Sequence, residues 1–335
     1  MVHDQAKMAD QKRNTKFLTS ENGIALLLVL WVLTILMVIV LSFSFMTRTE
    51  THATLSFKEG IEKQFLAEAG IERGIMEIFY RMQNIGMQTI MEGMEVWKID
   101  GTVYNGDMEN GHYIVRITDE SGKIDINAIS DANADLLRNL FKNLELEDEE
   151  VNTIVDSMLD WKDADDLYHL NGAETEYYMS LPNPYKAKNA NFDTIEELLL
   201  VKGMKSELLY GNGEKRGIID FLTVHSGRNV ININAAPKEV LMAIPNMTPE
   251  IADAIIDFRE DKEIKSIGEI SAILGGNYSL MAPYISTGGS NVFTIDASGN
   301  KGDKNSSFAI RATVTITGNN KYTYVYYKVP VYTKQ

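Results

Sequence analysis

The residues best placed to do chemistry lie between positions 160 and 176. Asp160-Trp161-Lys162-Asp163-Ala164-Asp165-Asp166 is followed by Asn171, Glu174 and Glu176. Closely spaced carboxylates in a loop offer the hard oxygen donors that calcium takes, six to eight of them, and transition-metal geometry is not required. Counted from Asp163, Asp165 falls at the third place and Glu174 at the twelfth, as in an EF-hand loop. Tyr168 stands where that loop needs glycine, and Leu167 where it needs a third oxygen donor. The expectation is therefore a calcium site of another kind, with Asp163, Asp165 and Glu174 as first ligands and Asp160, Asp166 and Glu176 behind them. The alternative is a solvated acidic loop that caps helices.

Other chemistry is thin. The chain has no G-x-S-x-G, no H-E-x-x-H and no Walker loop. Gly211-Asn212-Gly213 with Gly217 has the wrong spacing for a dinucleotide fingerprint, and Asp296 to Asp303 reads as a polar hairpin. His3, His52, His112, His169 and His225 show no ligand spacing and read as surface or packing residues. The absence of cysteine removes zinc-finger, iron–sulfur and thiol chemistry. With 32 basic and 47 acidic residues the net charge is −15, a poor match to a phosphate backbone. A length of 335 residues allows two or three compact units.

These groups need elements to hold them, and the first is in the N-terminal 50 residues. From Ile24 to Met46 the chain reads IALLLVLWVLTILMVIVLSFSFM, with only Thr34, Ser42 and Ser44 polar, and no charged side chain lies between Glu21 and Arg48. That is enough helix to cross about 30 Å of hydrocarbon, which favours a membrane span over a buried core helix. Lys7, Lys12, Arg13 and Lys16 precede it, so the positive-inside bias puts the N-terminus in the cytoplasm and the rest outside. Phe43-Ser44-Phe45-Met46 lacks the small residues of a secretory cleavage site. Helical spacing continues through Leu55, Ile61, Phe65, Leu66, Ala69, Ile71, Ile75, Ile78 and Phe79, which predicts one helix from Ile24 to about Gln83. Gly60, Gly70 and Gly74 within it are expected to allow close helix packing.

Farther on, residues 86–110 read as loop with a short strand at Val96–Ile99. His112–Thr118 alternates like a strand, followed by a short one at Lys123–Ile126. Val292–Ile295, Phe308–Thr317 and Lys321–Tyr332 supply three more, the last two joined by a turn at Gly318-Asn319-Asn320. Between them lies an internal repeat: Lys123–Ala128 (KIDINA) echoes Val230–Ala235 (VININA), and Ile154 to Trp161 echoes Ile251 to Phe258. Phe192–Leu209 adds a helix-turn-helix-like piece. The turn Ile244–Pro249 has no glycine and its surroundings are acidic, so these hairpins are expected to serve structure or protein contact, without nucleic acid.

A basic leader ending in Gly23 before the apolar run resembles a class III (type IV prepilin) signal, in which a prepilin peptidase would cut between Gly23 and Ile24. The resemblance extends through FLAEAGIERGI, through Ile231–Glu260, and through Asp160–Asp166 with Gly172-Ala173-Glu174 and Tyr177-Tyr178. Together these resemble the minor pseudopilin K family of type II secretion. The fifth residue after the cut is Leu28 where most pilins carry glutamate, a departure typical of that family. A carboxylate buried in lipid needs a partner, which a tip subunit lacks.

The resemblance implies an α+β fold with a pilin-like N-terminal transmembrane helix, an antiparallel sheet and a large all-α, helix-hairpin-helix/SAM-like insertion. The expected division is leader 1–23, transmembrane part 24–46, exported helix 47–85, β domain 86–126 and 288–335, and insertion 127–287. It further implies a non-enzymatic subunit that initiates or caps the pseudopilus for export across the outer membrane. It would be anchored in the inner membrane by one span with its head in the periplasm, N-methylated after processing, and calcium-binding in the head. Expected partners are the I and J pseudopilins, the prepilin peptidase and the inner-membrane secretion platform. A minor pilin of a type IV pilus or competence system, and a membrane-anchored exported calcium-binding or DNA-receptor protein, are the alternatives.

Overall fold

A computed structural model describes residues 21–84, 96–109, 111–212, 215–302, 307–318 and 321–330. Of the leader, positions 1–20 lie outside the described residues, as do the hairpin tip at 319–320 and Asp303.

Helix α1 runs Glu21–Asn84 without a break, as the spacing predicts. It belongs to two compact units, one ending at Glu59 and one beginning at Gly60. In the first unit the side chains from Ile24 to Met46 are all exposed, an arrangement that water disfavours and hydrocarbon favours.

In the second unit the residues of α1 from Gly60 onward pack on a five-stranded antiparallel sheet. Its strands are β1 (Asp100–Met108), β2 (Gly111–Asp119), β7 (Val292–Asn300), β8 (Phe308–Gly318) and β9 (Lys321–Lys328), in that spatial order. Alternation in β2 turns Val115 and Ile117 inward, where they meet Ile71, Ile75 and Ile78 of α1 and Ile295, Ile310 and Val314 of the sheet. Each such buried side chain contributes about 1.5–3 kcal/mol. Gly70 and Gly74 lie against Val115, Ala297 and Ile295, so the close packing they allow is helix on sheet, while Gly60 has nothing near it. The tightest approach is at Gly299, where an added Cβ would stand 2.0 Å from the Lys63 carbonyl oxygen and 2.7 Å from the Ala67 nitrogen of α1. Gly299→Ala should therefore lower stability by about 2 kcal/mol, read as a fall in melting temperature; an unchanged melting temperature would contradict this helix–sheet contact.

Two strand expectations are corrected. The first strand is Asp100–Met108, beyond the expected Val96–Ile99, and the strand expected at Val292–Ile295 runs on to Asn300 as the first arm of an antiparallel β7–β8 hairpin. The segment at Lys123–Ile126 reduces to β3 (Ile124–Asp125), which pairs outside the main sheet with β4 (Leu222–Thr223).

The helical part leaves the sheet after β2 and returns at β7, two strands that are neighbours. It is built twice. The first unit is β3, α2 (Asp135–Asn143), α3 (Asp148–Lys162), α4 (Thr175–Met179), a 3-10 turn Ile195–Leu200, α5 (Ser206–Tyr210) and β4. The second is β5 (Ile231–Asn232), α6 (Lys238–Ala243), α7 (Pro249–Asp261), a 3-10 turn Ile267–Ile270, α8 (Ser271–Leu274), α9 (Tyr278–Met281) and β6 (Ile285–Ser286), with β5 parallel to β6.

The sequence echo has a physical basis in shared bonds. Asn127 accepts from the Phe192 N–H and donates to the Phe192 and Val224 carbonyls; Asn234 does the same with Ile264 and Thr287. Lys162 at the end of α3 donates to the carbonyls of Ile126, Asn127 and Ile129, and Arg259 in α7 to those of Ile233 and Ala236. The units differ at one place. Between α7 and Ile264 the chain has only Lys262 and Glu263, whereas between α3 and Phe192 it inserts residues 163–191, and these carry the acidic run.

Candidate metal centre

Helical spacing puts Asp156 and Asp160 on one face of α3, one turn apart, and both are buried. Asp156 is satisfied: it accepts from Arg138 Nη2 at 2.8 Å and from the backbone and side-chain nitrogens of Asn171 at 3.2 and 3.0 Å. Asp160 is not. Its Oδ1 accepts from the His169 backbone N–H at 3.1 Å and contacts His169 Nδ1, while its Oδ2 has no partner. Gly172 makes room for that oxygen, since a Cβ there would stand 1.8 Å from it.

Asp163 closes α3 at its C-cap, Asp165 turns the loop by accepting from the Leu167 N–H at 2.8 Å, and Glu174 stands just before α4. Asp163 Oδ1 and both Glu174 carboxylate oxygens are buried without a hydrogen-bond partner. Oxygens of Asp163, Asp165 and Glu174 lie within 4.8 Å of one another, as do ligand atoms of Asp160, Asp163 and His169. Burial, and then the charges of Asp160, Asp163, Asp166 and Asp165, push the Glu174 carboxyl up to about 7. Burial and the charges of Asp165 and Asp160 raise that of Asp163 as well.

Of the six carboxylates expected from sequence, the structure gathers Asp160, Asp163, Asp165 and Glu174. Asp166 and Glu176 stand outside the cluster, exposed, with Glu176 facing the Tyr168 hydroxyl at 3.5 Å. Leu167 and Tyr168 point to solvent where an EF-hand would have a ligand and a glycine. His169, expected on the surface or in packing, bridges Asp160 to Asp131 at 2.9 Å through Nε2. Lys202 pins the loop by donating to the carbonyls of Asn171 and Gly172. Neither contact had a spacing signal, because both cross between segments. Four buried carboxylate oxygens without donors are costly as they stand and form an all-oxygen set that fits a hard divalent cation such as calcium.

At the other end of the chain, Gly23 and Ile24 lie in the first turns of α1.

Family models place the rest. The model for type II secretion system (T2SS), protein K, first domain, matches residues 122–210, and that for T2SS protein K matches 231–286, one on each helical unit. The type II secretion system protein K of Pseudomonas aeruginosa is 24% identical over 257 residues, covering 71% of this chain and 72% of that protein. Both helical units thus match the type II secretion system protein K family. The Pectobacterium carotovorum protein K is 40% identical over 75 residues, covering 22% and 23% of the two chains, and that of Aeromonas hydrophila is 26% identical over 207 residues, covering 56% and 60%. Among solved structures, the crystal structure of the GspK-GspI-GspJ complex from enterotoxigenic Escherichia coli holds a chain of the same fold, with a TM-score of 0.62, 13% identity, and coverage of 84% of this chain and 99% of that one. The chain is thus a minor pseudopilin of the type II secretion system, membrane-anchored, with an α+β pilin-like fold. The family is structural and holds no known enzyme.

Proposed function

We propose that this pseudopilin initiates or caps the pseudopilus from its tip, together with minor pseudopilins of the I and J kinds. The observation that carries the reading is the pair of helical units inserted between β2 and β7, neighbouring strands of the sheet. A head enlarged in this way hinders the addition of a subunit above it. Leu28 supports the same reading, since the apolar run offers no carboxylate for a subunit above to neutralise. The prepilin peptidase would cut after Gly23, and N-methylation would follow. The inner membrane would hold Ile24–Met46, with the N-terminus cytoplasmic, the head in the periplasm and the secretion platform beside the span. The chain has no cysteine, so one introduced at Leu170, which is 96% exposed, gives a clean cross-linking probe. Cross-links confined to the filament end are expected; cross-links along the shaft would overturn the tip assignment.

The acidic cluster has a separate role in this proposal. Asp160, Asp163, Asp165 and Glu174 would hold one calcium ion, whose charge would offset the mutual repulsion of these carboxylates and fix residues 163–174 between α3 and α4. The support is the four donorless oxygens and the raised Glu174 carboxyl. Asp166 and Glu176 are left as outer acidic groups. Asp163→Ala should lower the melting temperature in calcium and leave it nearly unchanged in chelator; equal losses in both would overturn the site.

A further inference from the structure

We propose that residues 167–170 form a docking tip for a protein partner whose apolar cleft is rimmed by Lys or Arg; its effect on export rests on the reading that the chain serves secretion. Leu167, Tyr168 and Leu170 are 74%, 50% and 96% exposed, three large side chains within four consecutive residues and far in sequence from the membrane-spanning run. Single exposed apolar side chains are ordinary on a protein surface, but three side by side mark a place that a partner covers. A solvated loop that only capped α3 and α4 would gain nothing from them.

The segment that carries them is tied down on both sides. The Leu167 N–H donates to Asp165, whose own carbonyl accepts from Asn189 Nδ2 at 3.3 Å. The His169 N–H donates to Asp160, and the His169 carbonyl accepts from the Gly172 N–H at 3.0 Å. Asn171 donates twice to Asp156, and Lys202 holds the carbonyls of Asn171 and Gly172 at 3.3 and 2.9 Å. These bonds are made by backbone groups and by Asp, Asn and Lys side chains, so the loop's path owes nothing to Leu167, Tyr168 or Leu170. A tip held in this way loses little freedom when a partner covers it, and the buried apolar area then counts more fully toward affinity than on a mobile loop.

The charge beside the tip has one sign. Asp165 and Asp166 precede it in the chain, Glu176 faces the Tyr168 hydroxyl, and Asp131 meets His169; all four carboxylates are exposed. Among the described residues Asp165, Asp166 and Glu176 have no Lys or Arg partner. The two lysines that reach this part of the fold are turned inward, Lys162 to the carbonyls of Ile126, Asn127 and Ile129, and Lys202 to those of Asn171 and Gly172. An apolar tip with an acidic rim repels anionic headgroups and selects an apolar cleft edged by cations, which a protein surface supplies.

The test uses the full chain in secreting cells with the photo-cross-linker p-benzoylphenylalanine in place of Leu170. Adducts are expected on a protein, at peptides that combine apolar residues with Lys or Arg. They should fall at least about tenfold when Asp166→Lys and Glu176→Lys are added, and change little with Glu207→Lys, an exposed change on α5. Without the cross-linker, Leu167→Ser with Tyr168→Ser and Leu170→Ser should lower export at least about tenfold while the melting temperature and association with I- and J-type pseudopilins stay as they were. Adducts that survive the double charge reversal, adducts confined to lipid or to a second copy of this chain, or export untouched by the triple variant would each overturn the docking tip. Export that continues when the whole chain is deleted would instead overturn the secretion reading, and the adducts alone would then decide the surface.

Discussion

Metal-free protein taken from pH 5 to pH 8 should lose up to about 3 kcal/mol of stability, and calcium should restore it. In the folded state the Glu174 carboxyl is raised from 4.5 to about 7, so between those values the folded protein binds more protons than the unfolded one. Stability then falls as pH rises across that window and stays low above it. A shift of this size is worth roughly 3 kcal/mol, or about 6–12 °C in melting temperature for a domain of this class. Asp163 and His169, both raised, act in the same sense. For His169 burial opposes the shift, but the hydrogen bonds to Asp160 and Asp131 outweigh it. A bound cation replaces the proton as the neutralising charge, so the pH dependence should flatten in millimolar calcium. Glu174→Gln separates this from a general loss of packing: it should stabilise the metal-free protein at pH 8 and reduce the gain from calcium. A melting temperature independent of both pH and calcium would contradict the site, as would a Glu174→Gln variant destabilised equally with and without metal.

Asp119→Ala should cost about 3–5 kcal/mol, the largest effect expected of a single side chain here. Asp119 is fully buried at the point where the chain leaves β2 for the helical units. Its carboxylate accepts from the Ser121 N–H and hydroxyl at 2.8 and 2.7 Å, and from the Ser290 N–H and hydroxyl at 3.0 and 2.7 Å. Ser290 lies at the return, just before β7, so one carboxylate stitches both crossings between sheet and helices. Alanine would leave two amides and the Ser121 hydroxyl without an acceptor in a closed junction, while the Ser290 hydroxyl keeps the Val292 carbonyl at 2.9 Å. Asp119→Asn keeps the shape but turns an NH2 toward donors, and should cost less, about 2 kcal/mol. Ser290→Ala removes one hydroxyl and should cost about 1 kcal/mol. Denaturant unfolding measures all three; a loss below about 1 kcal/mol for Asp119→Ala would show that the junction is held by other contacts.

The parts of this fold that are legible in sequence are those written in a period. The uncharged run after Gly23 and the spacing from Leu55 to Phe79 give α1, and strict alternation gives β2 and β8. Strand β1 was missed because Asp-Gly-Thr-Val-Tyr-Asn-Gly-Asp-Met has neither alternation nor strand propensity. It is an edge strand, half exposed, and owes its form to pairing with β2. The repeat is legible at KIDINA and VININA because Asn127 and Asn234 hold the same carbonyls in each unit. The later halves, from Phe192 and from Ile264, escaped pairing because residues 163–191 displace the first from its helix.

The same insertion explains the partial reading of the metal centre. Carboxylate density in sequence locates the cluster, but which carboxylates converge depends on the path of the loop. Asp165, though exposed, and buried Glu174 bring oxygens to Asp163, whereas Asp166 and Glu176 do not, and Asp131 and His169 arrive through contacts that no spacing reveals.

A pseudopilin processed after Gly23 and carried in the membrane by the apolar run of α1 should show its processing in the intact mass and N-terminal sequence of the protein from membranes of cells with and without a prepilin peptidase. A start at Ile24 that appears only when the peptidase is present is the predicted result. An uncut start in both, or a cut after Phe45, would contradict it, and the tip assignment would fall with it.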